Sequence, residues 1–209
     1  MGFRAGWACL WLLGCASSPG LGHGGPDNYG YKPEGKVWVR GPWDEIRSSP
    51  NADEVIDQLC PAVMKLPRVQ RREYGQEYCG AIYSLGDGIY YASHPSPLGS
   101  AVLINPTKRK MCRPPRYVED PRGHVSVLAD FHSHPWPYSR MSEEDMLEKN
   151  QLWSIRLQFD TTCRVMKLIP YLGVARPGEV YERRGGEWVL IGIIKPENKA
   201  TGVVSPPGG

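Results

Sequence analysis

The chain has 209 residues, enough for one well-buried domain or at most two small ones, and its 41% hydrophobic and 10% aromatic content excludes wholesale disorder. A formal net charge of +3, with both signs interspersed and no basic block beside a nucleic-acid motif, argues against nucleic acid as a partner. Glycine (24 residues) and proline (20) crowd both ends, so a folded middle with irregular ends is expected.

In chain order, residues 1–15 carry a single basic residue, Arg4, followed by an apolar run from Ala5 to Leu13. That run is too short to span a bilayer and matches a secretory signal peptide. Leu12-Leu13-Gly14-Cys15 looks like the lipobox of bacterial lipoproteins, with membrane contact only through a lipid on Cys15. The alternative is a plain signal peptide cut near Ala16, giving a secreted protein. Either way the chain is expected to be exported. Export leaves Cys60, Cys79, Cys112 and Cys163 for two disulfides, in any of three connectivities.

Residues 16–52 read as a Gly/Pro-rich tether containing one short strand at Lys36–Arg40. Asn51 can cap a helix in which Val55, Ile56, Leu59, Val63 and Leu66 recur at helical spacing, with Pro61 placed to kink or divide it. Tyr78–Leu85 and Ile89–Ala92 flank Gly86-Asp87-Gly88 as a hairpin. Residues 93–123 form a long Pro- and Arg-rich excursion around one strand, Ala101–Ile104. Its basic residues Lys108, Arg109, Lys110, Arg113 and Arg116 read either as a solvated face or as a guide for an acidic substrate. His94 and His124 read as loop or surface residues.

Val125–His134 reads as a strand ending in a proline turn, and residues 142–159 as a helix with Met146, Leu147, Trp153 and Leu157 as core candidates. TCRVMKLIPYLGVA is a buried strand, VYERRGGEWVLIGII a hairpin turning at Gly185-Gly186, and residues 195–209 a disordered tail.

On an extended chain His132 and His134 share one face. Asp145 follows at the start of the next element. Two imidazoles and a carboxylate with one position open is the ligand count of a catalytic zinc, here one ion. The same residues have a plainer reading, because Ser142-Glu143-Glu144-Asp145 is also a variant capping box. Trp136 and Tyr138 either line a substrate cleft or pack against the helix, and Asp130 is a candidate partner for a ligand imidazole.

His132-Ser133-His134-Pro135, six residues, then Ser142-Glu143-Glu144-Asp145 resembles the core motif of the JAMM (MPN+) metalloproteases. That family also carries an upstream glutamate near a Cys-Gly pair. Glu77-Tyr78-Cys79-Gly80 fits this better than Glu73 does. The resemblance covers roughly residues 53–194 and implies an α/β fold: a single deaminase-like JAB/MPN domain, a mixed β-sheet flanked by helices. It further implies zinc on His132, His134 and Asp145, Glu77 as general base and Ser142 as oxyanion donor. Ser133 is expected to orient the turn. The expected activity is zinc-dependent hydrolysis of an amide bond in a peptide or protein substrate. The aromatic loop, the 93–123 excursion and the export signal differ from cytosolic deubiquitinases of that family. The alternatives are a non-catalytic binding module on the same fold, or an exported effector tethered to the membrane.

Overall fold

The computed structural model describes residues 27–104 and 107–208, so the signal segment and Cys15 lie outside the described residues. No helix among the described residues is long and apolar enough to cross a membrane.

The first elements are strands β1 (Tyr29–Tyr31) and β2 (Val37–Arg40). Helix α1 (Ala52–Val63) starts where the extended Asn51 accepts the N–H of Asp53, and its apolar face buries Val55, Ile56, Leu59 and Val63. Pro61 lies in its last turn, so the helix ends just beyond it rather than being divided. A 3-10 turn (Arg72–Tyr74) leads into strands β3 (Cys79–Ser84) and β4 (Tyr90–Ala92). Next come β5 (Ala101–Ile104), β6 (Thr107–Lys110), β7 (Tyr117–Glu119) and β8 (Ser126–Ser133). After the one-turn helix α2 (Glu143–Met146) come β9 (Ile155–Phe159), β10 (Val165–Ile169), β11 (Gly178–Arg184) and β12 (Glu187–Ile194).

The central sheet has seven strands in the order β12-β11-β10-β9-β8-β3-β4. Its pairs are antiparallel except β8 with β9, which run parallel. The fold is therefore mixed α/β and largely strand. Helix α1 packs with Trp43 against β3, β8 and β9 to form the main core, while Met141, Met146, Met166, Leu168, Val180 and Ile194 form a second cluster. Gly80 sits in β3 where an added Cβ would fall 2.2 Å from the ring of the fully buried Phe131, so only glycine fits there. The disulfides are Cys60–Cys163 and Cys79–Cys112, which selects one of the three connectivities. The first joins α1 to the β9–β10 turn, and the second joins β3 to the excursion.

Both predicted hairpins are present, Ile82 facing Ala92 in one and Gly185-Gly186 turning the other with positive φ at both glycines. Three expectations need correction. Residues 29–50 are not a tether: Val37 and Val39 are fully buried, Trp43 and Ile46 join the core, and β2 pairs in parallel with β7 of the excursion. Glycine and proline content signals a flexible segment only when no distant strand is available to pair with it. Residues 142–159 are not one helix. The helical pattern stops after α2 and a 3-10 turn (Glu148–Asn150), because Ile155, Leu157 and Phe159 alternate as a strand docked beside β8. The second flanking helix is thus a single turn. The tail is ordered through residue 208: Ser205 bridges Ile193, and the ammonium of the buried Lys199 donates to the carbonyls of Tyr171 and Val174.

Candidate metal centre

His132 lies near the C-terminal end of strand β8, and the chain continues to His134, whose backbone N–H donates to the carbonyl of Phe159 at 2.8 Å. The two imidazoles are 5% and 4% exposed, with ring centroids 5.0 Å apart. The Pro-containing turn then returns the chain to Ser142, the N-cap of α2. A complete capping box forms there: the Ser142 Oγ accepts the Asp145 N–H at 3.2 Å, and the Ser142 N–H donates to Asp145 Oδ2 at 3.0 Å. The Ser142 hydroxyl also donates to that oxygen at 2.5 Å.

Capping aims the Asp145 carboxylate at the histidines. His132 Nε2 is 3.4 Å from Asp145 Oδ1 and His134 Nε2 is 3.5 Å from Oδ2, and one donor atom from each residue lies within 4.8 Å of the others. Ligands about 2.1 Å from a tetrahedral zinc sit about 3.4 Å from one another, so these spacings suit such an ion. The donor chemistry fits as well. Nδ1 of His134 is engaged by Ser139 Oγ at 2.7 Å, which leaves Nε2 facing the carboxylate, and the buried Nε2 of His132 makes no hydrogen bond. Two imidazole lone pairs facing a carboxylate at this distance call for a cation or protons between them. Burial pushes the Asp145 carboxyl up, yet the charge and closeness of His132 and His134 hold it well below the usual carboxylate range. His132, His134 and Asp145 form a cluster that can hold a metal ion.

Glu77 is 3% exposed and lines the same cleft of about 410 Å³ as His132, Asp145 and Cys79. Its position is set by the residue between the two histidines. Ser133 points to the opposite face of β8, where its Oγ accepts the Tyr78 N–H at 2.9 Å and its own N–H donates to the Tyr78 carbonyl at 3.1 Å. The expected orienting role of Ser133 is thus exercised on the glutamate segment rather than on the turn. Cys79 lies opposite His132 in the β3–β8 register. Glu73 is exposed and does not line the cleft.

No family model, curated protein or solved structure matches this chain.

Behind the histidines, Asp130 is fully buried and its Oδ2 accepts Arg156 Nε at 2.9 Å. Burial pushes this carboxyl up against the pull of the guanidinium. Asp130 therefore partners Arg156 rather than hydrogen-bonding an imidazole. Arg156 donates in addition to the carbonyls of Asp145 at 2.9 Å and Asn150 at 2.8 Å, tying α2 to the sheet. Asp160 accepts the Ser139 N–H at 3.0 Å, and Gln158 donates to the Ser139 carbonyl at 3.0 Å, so the turn that carries Ser139 is held at both backbone groups. Neither Trp136 nor Tyr138 lines the cleft, and Tyr138 is 77% exposed. His94 is a half-buried loop residue against Trp43, and His124 is exposed.

Ser139, Arg156 and Asp160 carry no sequence signal comparable to the histidine pair. Ser139 lies inside a turn rich in small polar residues. Arg156 falls in a stretch whose periodicity suggests a helix, so its inward direction is visible only once that stretch is a strand.

Proposed function

We propose that this chain is a metal-dependent hydrolase that cleaves an amide bond in a peptide or protein, with His132, His134 and Asp145 holding one zinc ion. The observation that carries this reading is the convergence of two buried imidazoles and a capped carboxylate in a cleft also lined by Glu77. Zinc, when bound, supplies Lewis-acid activation of water at neutral pH. Glu77 takes a proton from the attacking water and returns it to the leaving amine, so the products are a carboxylate and a free amine. Ser142 acts mainly as a positioning residue, since its hydroxyl hydrogen is engaged by Asp145. Ser133 and Ser139 hold Glu77 and His134 in place. An open cleft supports turnover over a sealed, non-catalytic binding module.

The order of helix, glutamate segment, histidine strand and capped carboxylate supports membership of the JAMM (MPN+) metalloproteases and their JAB/MPN fold. Two disulfides among the described residues suit an oxidising compartment and so support an exported protein, tethered through Cys15 where that residue is acylated.

The test is metal analysis of the purified full chain together with digestion of a mixed peptide library. Wild type is expected to hold one zinc ion and to release new amines. Glu77→Gln should keep the metal and lose hydrolysis by a factor of roughly a hundred or more, whereas His132→Ala should lose both. A wild-type chain that fails to retain zinc after reconstitution would sink the proposal.

A further inference from the structure

Met111, Cys112, Arg113, Pro114 and Arg116 line one part of the cleft, next to Glu34–Val37, and bring two guanidiniums to it; the carboxylate in that neighbourhood, Glu34, pairs with Lys36. The backbone of this segment is anchored. Cys112 is bonded to Cys79, the residue of β3 opposite His132, so Arg113 follows directly from a covalent link to the strand that neighbours β8. The Arg113 N–H donates to Leu98 at 2.7 Å, the Arg116 N–H donates to Val37 at 2.8 Å, and Trp153 Nε1 donates to the Pro115 carbonyl at 3.2 Å. Successive prolines at 114 and 115 stiffen the segment further.

Their charges are not consumed by the protein. Arg116 makes no ion pair among the described residues, and Arg113 Nη1 donates to a neutral carbonyl, that of Gly35, at 3.0 Å. The nearby Lys36 pairs with Glu34 at 3.4 Å, which leaves the guanidiniums unneutralised on their side of the cleft. The other carboxylates that line the cleft are Glu77, just before β3, and Glu144 and Asp145 on α2. Both side chains are exposed but spring from an anchored backbone, so two unpaired guanidiniums, those of Arg113 and Arg116, line the cleft and are available to a carboxylate.

We propose that Arg113 and Arg116 select substrates that carry a carboxylate close to the bond being cleaved. This deepens the hydrolase reading and rests on it for the word substrate. The carboxylate belongs either to a free chain terminus or to an acidic side chain, and both present the same anion to the guanidiniums.

The test measures binding without turnover. Full-length Glu77→Gln protein with both disulfides intact is titrated into fluorophore-labelled tri-alanine peptides and followed by anisotropy, once with zinc and once with a chelator. Three probes are compared: a C-terminal amide, the same peptide with a free C-terminus, and an amide with one alanine replaced by glutamate. At least one anionic probe should bind roughly tenfold more tightly than the neutral amide, and the preference should fade as salt rises. Adding Arg113→Gln and Arg116→Gln should abolish the preference while circular dichroism is unchanged. The free-terminus probe winning identifies a terminal carboxylate, and the glutamate probe winning identifies an acidic side chain. Equal binding of all three probes, or a preference that survives the double substitution, overturns the proposal. A preference seen equally with chelator stands even where zinc binding fails, so the two readings are separable.

Discussion

The Oγ of Ser139 lies 2.7 Å from Nδ1 of His134, and this contact decides which imidazole nitrogen faces Asp145. In the tautomer whose Nδ1–H donates to the hydroxyl, the Nε2 lone pair is free for a metal. Ser139→Ala should therefore lower zinc affinity by roughly tenfold to a hundredfold without unfolding the chain. Competition against a chromogenic zinc chelator reads this directly. Unchanged affinity would show that packing alone orients His134.

Arg156 joins β8 to α2 from a position 3% exposed. Removing it leaves Asp130 buried without its ion-pair partner and ends the sheet's hold on the Asp145 carbonyl, which then keeps only Gln151 Nε2. Arg156→Ala should destabilise the fold by about 3–5 kcal/mol in urea unfolding. Replacing both partners with well-packed apolar residues should recover much of that stability. It should not recover zinc affinity, because the tie to α2 is still missing.

The Cys79–Cys112 bond closes a loop with a sequence separation of 33 residues. On the chain-entropy account, Cys79→Ala with Cys112→Ala should cost about 4 kcal/mol of stability. The candidate metal donors sit on β8, the residue after it and α2, none of which the bond contains, so zinc affinity should be retained. Denaturant unfolding and chelator competition on the same preparation separate the two effects. A large fall in zinc affinity would mean that β8 depends on the excursion for its position.

A pH effect arises away from the metal site. Asp120 is buried, accepts Arg122 Nη2 at 2.6 Å and the Tyr83 hydroxyl at 2.6 Å, and has its carboxyl held down to about 2, chiefly by the Arg122 hydrogen bond. Its folded value lies below its unfolded one, so the unfolded chain binds more protons as the solution is acidified. The stabilisation is fully present above about pH 4 and is lost as pH falls toward 2, amounting to about 2 kcal/mol. Unfolding free energies across that range should drop for wild type and flatten for Asp120→Asn. Parallel curves would assign the acid sensitivity to other groups.

How much of this was legible beforehand follows the range of each signal. Asn51 and Ser142 cap helices that begin where expected, and Gly185-Gly186 turns a hairpin, because caps and turns depend on a few neighbouring residues. The length of the second helix was not legible. Residues 155–159 satisfy a helical and a strand period equally, and only the partner β8 separates them. The strand expected at Lys36–Arg40 is present as β2, but that residues 29–50 belong to the fold rather than to a tether was not legible, because β2 pairs with β7 of the distant excursion.

For the site, the sequence by itself picked out the candidate residues: two histidines at strand spacing, a Ser-x-x-Asp capping box and a glutamate before a Cys-Gly pair. These residues carry their chemistry in their identity and local spacing. Only the tertiary structure decided what those donors face and what holds them. It brought Asp145 to within 3.5 Å of both imidazoles, placed Ser139 on His134 and turned Ser133 toward the Glu77 segment. It also swung Arg113 and Arg116 onto the cleft wall through the Cys79–Cys112 link. The physical reason is that such contacts form between segments far apart in the chain, and local spacing does not encode which of several distant partners a buried polar group will meet.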